Sequence, residues 1–233
     1  MFPSTGTSTN TSEPLIPLKQ IRALYDDSTI TLYQAYPSAI ALPALEHQRL
    51  SASPAFKSTR MTWVKPSWCW MMCAPLYPLS SSFLPLTRPE RYRSGYSHKD
   101  HGQEPILALR INHVHFHALL AHSAPLEPSA SPNPKPDAQV RIQWDPERGP
   151  RLERLPHRSI QIGIPPGLVR VWADEWIEGI EDVTEEARRL GEVLDGDWGG
   201  GLGEEDLVGM GLLPVERVYG VEGELGRRIG VGS

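Results

Sequence analysis

Prolines and glycines set the strongest limit on what this chain can fold into. The 233 residues include 23 prolines and 20 glycines. Proline lacks a backbone donor, and glycine loses the most conformational freedom in an ordered element, so stretches dense in either resist helix and strand. Residues 125–136 hold five prolines and read as a loop, and residues 73–91 hold four. Glycine dominates residues 195–211, which read as a flexible loop. Residues 1–18 are mostly Ser, Thr and Pro with one acidic residue, the composition of a disordered leader. Ordered structure is thus expected over 19–219, as one domain with those internal loops, followed by a tail over 220–233.

Hydrophobic periodicity divides the rest into elements. Residues 20–25 and 29–36 alternate polar and apolar, and Asp26-Asp27-Ser28 between them supplies turn chemistry, so a hairpin is expected. Residues 37–50 have helical composition, with a break or start at Pro43. Further strands are expected over 60–64, 105–111, 140–144 and 158–164, the last two separated by a turn over 145–150. Helices are expected over 67–72, opening after Pro66, and over 114–121. In residues 168–180, Leu168, Val171, Trp172, Trp176 and Ile180 follow a 3.6-residue period, which predicts a helix with both tryptophans buried. Thr184 is placed to cap a last helix over 185–194. Strands and helices mix without a βαβ rhythm, so the expected fold class is α+β, with a twisted mixed or antiparallel sheet flanked by helices.

Composition also excludes whole classes of protein. Two cysteines, Cys69 and Cys73, cannot supply a disulfide framework or a cysteine-based zinc site. No window approaches the ~18 apolar residues of a membrane helix, and the start lacks the basic and apolar parts of a signal peptide. No membrane partner is expected, and an intracellular location, cytoplasmic or nuclear, follows. The formal charge of -5 argues against a surface that binds nucleic acid everywhere, though not against a local basic cleft. No phosphate-binding glycine loop, nucleophile elbow or His-Glu-x-x-His pair is present. His113, His115, His117 and His122 come nearest to a metal signature. No carboxylate accompanies them in sequence, and no metal is expected.

Arginine, aromatic and amide residues recur along the strands: Arg22, Tyr33, Gln34, Tyr36, Arg60, Trp63, Lys65, Arg141, Gln143, Ser159 and Gln161. Alternation puts Arg141 with Gln143 on one face, and likewise Ser159 with Gln161. Any one of these could be an ordinary surface residue. Together they suggest a nucleotide or nucleic-acid cleft, since arginine forks onto phosphate, aromatic rings stack on bases and amides read polar edges.

IRALYDDSTITLYQAY at 21–36 resembles the domain of unknown function 4291 family. The likeness continues through RMTWVKPS at 60–67, WMM at 70–72, YRSGY at 92–96, QWDPER at 143–148 and RSIQIG at 158–163. It takes in Trp176-Ile177 and DVT at 182–184 and closes with LPVERVY at 213–219. In the family pattern the WMM and YRSGY blocks are contiguous. Residues 73–91 therefore look like an insertion peculiar to this chain, as an unspliced intron would give, rather than a genuine surface loop.

The order of elements and polar residues is also similar to ADP-ribosyltransferases of the toxin and DarT-like type, which split NAD between nicotinamide and ribose. That resemblance implies an ADP-ribosyltransferase-like fold and NAD as substrate, without a metal. It places Arg22 on the first strand facing NAD, Tyr33 or Tyr36 near the nicotinamide, and Gln161 where those enzymes carry a glutamate. Arg22 and Arg60 would hold the diphosphate, with Gln34, Trp63, Lys65 and Ser159 lining the site and nucleic acid the favoured acceptor. Glutamine cannot serve as a general base. Either Glu147 supplies the carboxylate, or the acceptor needs no strong base, or the analogy does not extend to activity. The alternative is a non-catalytic RNA- or nucleotide-binding module using the same cleft.

Overall fold

In the computed structural model the described residues are 17–72, 105–123, 139–151, 153–197 and 200–232. The segment 73–91, the proline loop 125–136 and all but the end of the leader lie outside them. The fold is α+β, and its strands pair antiparallel. Strand β2 (Thr29–Ala35) pairs along its whole length with β4 (Ile106–Asn112), which pairs in turn with β7 (Ile177–Asp182). A second sheet sets β6 (Arg154–Ile164) between β3 (Thr62–Val64) and β5 (Arg141–Arg148). One backbone pair joins the two sheets: the Tyr33 N–H donates to the Lys65 carbonyl at 2.7 Å, and the Lys65 N–H donates to that of Tyr33 at 3.1 Å.

One face of this joined surface is apolar. Ile30, Leu32, Leu107, Leu109, Ile111, Val64, Ile160, Ile162 and Ile164 are buried there. Against them pack α1 (Ser38–His47), α3 (His113–Ala121), α4 (Pro166–Val171) and α7 (Gly223–Ile229). On the opposite face, Tyr33, Ile106 and Ala108 are covered by α2 (Trp68–Met72), α5 (Thr184–Gly196) and α6 (Glu204–Gly209).

Several sequence expectations need correction. The expected hairpin is reduced to a tight turn closed by one antiparallel bridge, Tyr25 with Ile30. Asp26 accepts from the Ser28 and Thr29 N–H groups, as turn chemistry requires, yet β1 is only Arg22–Ala23 and pairs with β8 (Arg217–Val218). Strand β5 runs on through Arg148, so the turn expected at 145–150 begins only after it. The helix expected over 168–180 ends in a π-helical turn at Trp172–Trp176, and the chain then becomes β7. Trp172 and Trp176 are nonetheless buried, as their spacing predicts. Thr184 does not cap α5 through its side chain; its hydroxyl receives the Ile106 N–H at 2.8 Å. The glycine-rich stretch contains α6, and the tail contains α7, whose Ile229 carbonyl accepts from the Trp144 indole at 2.8 Å. Among the described residues no helix is long and apolar enough to cross a membrane.

Helix α1 runs unbroken past Pro43, against expectation. Proline leaves the carbonyl four residues back without its helical donor. That carbonyl belongs to Ala39, and the buried Ser53 hydroxyl donates to it at 2.7 Å. Ser53→Ala should therefore cost about 1–3 kcal/mol in urea denaturation, the usual range for orphaning a buried acceptor. In a Pro43→Ala background the restored N–H takes over that carbonyl, so the same substitution should cost less. Equal costs in both backgrounds would remove Ser53 from this role.

Candidate functional site

The remaining part of the second face is polar and buried, an arrangement that costs free energy unless the groups find partners. Along β6, Ile160, Ile162 and Ile164 enter the apolar core, so alternation turns His157, Ser159 and Gln161 the other way. Register adds neighbours on that face. Gln143 stands opposite Gln161, Asp145 opposite Ser159, and Trp63 opposite Gly163. Lys65 follows Trp63 by two residues and is buried, its ammonium 5.5 Å from the centre of the Trp70 ring.

Two carboxylates meet at the start of α2. The register of β5 and β6 shifts between Pro146 and Arg148, and Glu147, at that irregularity, is 3% exposed. It accepts from the Ser67 hydroxyl at 2.9 Å and from the Arg148 N–H at 2.8 Å. Ser67 Oγ in turn accepts from the Trp70 N–H at 3.2 Å and so caps the helix. Glu216 accepts from the Trp68 N–H at 2.5 Å. Burial raises the Glu147 carboxyl above its ordinary range, while its hydrogen bonds and the Arg22 charge pull the other way. The Ser159 hydroxyl lies close enough to Glu147 to act in the same direction, but without the alignment of a full hydrogen bond. Burial pushes Glu216 up to about 8, with the Glu147 charge adding to the rise and Arg22 opposing it. His157 is held low by burial and by Arg22.

Six buried polar atoms on this face or in the helix above it have no hydrogen-bond partner among the described residues: Asp145 Oδ2, His157 Nε2, Ser159 Oγ, Gln161 Oε1, Trp68 Nε1 and Trp70 Nε1. Buried polar atoms are nearly always satisfied, so such a group is a sign of a binding surface.

The site residues expected from sequence separate into two groups. Tyr33, Lys65, Trp63, Ser159, Gln161 and Glu147 share the polar face, and the Tyr33 ring meets Trp68 edge-on at 5.2 Å. Gln34 and Tyr36 lie on the other side of β2. The Tyr36 hydroxyl donates to Gln34 Oε1 at 2.7 Å, and Gln34 Nε2 donates to Thr62 at 2.6 Å. With Arg60, Lys57 and Trp63 they line a cleft of about 370 Å³. Arg22 has no acidic residue at a neighbouring same-face position of its strand, yet its charge faces Glu147 and Glu216, and its Nη2 donates to the Glu216 carbonyl at 3.4 Å. Glu216, His157 and Trp68 were not singled out from sequence. The histidines serve another purpose: His113 Nδ1 and His117 Nε2 both bond the Tyr219 hydroxyl, at 3.0 and 3.1 Å. No group of three or more metal-binding side chains occurs among the described residues.

The described residues thus form an antiparallel α+β fold in which one part of the second face is polar and buried. The chain belongs to the family described as Domain of unknown function (DUF4291), whose sequence model matches residues 20–219. No curated protein and no solved structure gives a significant match.

The raised Glu216 carboxyl makes stability depend on pH. Its ordinary value is 4.5 and its folded value about 8, so between these the native state holds a proton that the unfolded chain has lost. Stability therefore falls as pH rises through that window. Glu216→Gln keeps an acceptor for the Trp68 N–H and removes this loss. Its melting temperature should exceed that of the unsubstituted protein by a margin that widens from pH 5 to pH 8. The raised Glu147 carboxyl acts in the same direction, so some of the slope should remain. A margin that does not change with pH would mean that Glu216 is solvated.

Proposed function

We propose that this chain is an ADP-ribosyltransferase-like enzyme that splits NAD between nicotinamide and ribose and passes the ADP-ribose to an acceptor, with the polar face of β6 as its reaction centre. The observation that carries this is the position of Glu147. The strand residue expected to supply a carboxylate is Gln161, which cannot accept a proton. Glu147 lies at the other end of the same buried face and can.

In the proposed step the bond between the nicotinamide nitrogen and the ribose carbon breaks. Its electron pair leaves with the nicotinamide, which becomes neutral, and positive charge develops on the ribose. The acceptor nucleophile bonds to that carbon and gives its proton to Glu147. A carboxyl lifted towards neutral pH is a better-matched base than an exposed one. An ionised carboxylate in a water-poor site also stabilises the cationic transition state. Gln161 Oε1 is free to accept from a ribose hydroxyl. Arg22 is the cation facing this centre and the group suited to the diphosphate.

The test is nicotinamide release, followed by chromatography, from NAD incubated with the full chain and a panel of nucleic-acid and protein acceptors. The unsubstituted protein should release nicotinamide. Glu147→Gln should lower the rate at least ~100-fold, the smaller end of the usual general-base contribution, without lowering the melting temperature. Release that is unchanged in Glu147→Gln removes that residue from the chemistry. No release with any acceptor overturns the proposal.

A further inference from the structure

We infer that the cationic cleft beside the reaction centre binds a single-stranded nucleic acid, with Trp63 as the stacking platform and Lys57, Arg60 and Arg141 as phosphate contacts. The strand's role as acceptor rests on the proposed function; its binding does not.

Trp63, Gly163 and Arg141 form one rung across three strands, since Gly163 is the register partner of both others. A Cβ on Gly163 would come within 2.9 Å of the Trp63 ring and of the Met61 sulfur. The glycine thus lets the indole lie close over the sheet, while the ring stays partly exposed to solvent. Lys57 and Arg60 are exposed on one side of it and Arg141 on the other. No side chain of the three makes a hydrogen bond or ion pair among the described residues, and the cleft lined by Lys57 and Arg60 holds no carboxylate. In a chain with a net charge of -5, such a local excess of cations marks an anion-binding surface.

The spacing favours a strand over a mononucleotide. Arg141 lies two strands from Trp63, about 10 Å at the usual ~4.8 Å strand separation. Cations on both sides of a stacking ring, that far apart, are best met by successive phosphates of one backbone with a base on the ring between them. This is the combination that single-strand binding surfaces use. The rung continues directly onto the Gln161–Ser159 face, so a bound strand would pass the ribose-orienting amide.

The test uses the full chain with a fluorescent ten-nucleotide oligothymidylate and its RNA counterpart, followed by anisotropy. Three phosphate contacts on a single strand predict a log–log salt slope near -2, so raising salt from 50 to 200 mM should weaken binding about 20-fold. Arg60→Gln and Arg141→Gln should each reduce that slope by about 0.7. Trp63→Ala should weaken binding about tenfold or more and leave the slope intact. An exposed arginine on α5 changed to glutamine, Arg188→Gln, should have no effect. Binding that survives saturating NAD supports a separate strand site, whereas complete displacement by NAD or equal affinity for thymidine monophosphate overturns it. Unchanged binding in Arg141→Gln, whose exposed side chain makes a folding failure easy to exclude by melting, also overturns it. Strand binding without nicotinamide release would sink the enzymatic proposal alone, and release without strand binding would sink this one alone.

Discussion

The backbone pair between Tyr33 and Lys65 is the constraint on which this architecture depends. It joins two three-stranded sheets into one continuous surface with a single apolar side. Once that side is committed to the core, alternation leaves Tyr33, Lys65, Gln161 and Ser159 with only the other face. At the joint, an aromatic residue that belongs under α2 stands next to a lysine that belongs to the polar region. Lys65 is 2% exposed, with its ammonium over the Trp70 ring. Burying a cation is costly without such compensation. The joint therefore fixes the fold and the edge of the site together.

Helix α2 shows how the site is held. Five residues are too few for a helix to be stable alone, so it must be fixed by its surroundings. Its first turn is bound by Ser67, which is itself bound to Glu147, and by Glu216. Both carboxyls are raised by burial, and the Glu147 charge raises Glu216 further. A fold selected only for stability would replace such a pair with uncharged groups. The chain instead keeps a buried acid in Glu147, a second desolvated acid in Glu216, an arginine whose charge faces them, and unpartnered acceptors on the adjacent strand. On the proposed reading, stability is given up there for the preorganised groups that a reaction would use.

Alternation made β2, β4 and β6 legible in the sequence, because each carries residues that must sort to two different faces. It also put Ser159 and Gln161 on one face. Partner choice was not legible. Asp26 forms the turn that local chemistry promises, but β1 joins a strand about 190 residues away along the chain. A 3.6-residue period ran on through Ile180 because Ile177 and Ile180 are buried in a strand as they would be in a helix. Helix α6 was hidden by glycine composition, although Glu204, Glu205 and Asp206 form the acidic first turn that helix starts favour. Glu216 was missed because its burial depends on packing between α2 and the chain entering β8, which no local pattern encodes.

The charges on the polar face are arranged by cost. The exposed cations Lys57, Arg60 and Arg141 stand at its rim, where water screens them and little free energy is lost without a ligand. The acids lie at the buried end, where desolvation makes every interaction stronger. A ligand with a cationic group and anionic phosphates would gain most by placing its positive part deep, against the Glu147 carboxylate, and its phosphates against Arg22 and outwards. NAD, with a positively charged nicotinamide ring on one ribose and a diphosphate beyond it, has that order of charges. On the proposed reading, cleavage would remove the positive charge from the ring and develop it on the ribose carbon. The product nicotinamide would be neutral and lose its attraction to the Glu147 carboxylate, so the field that draws in the substrate would also let the leaving group go.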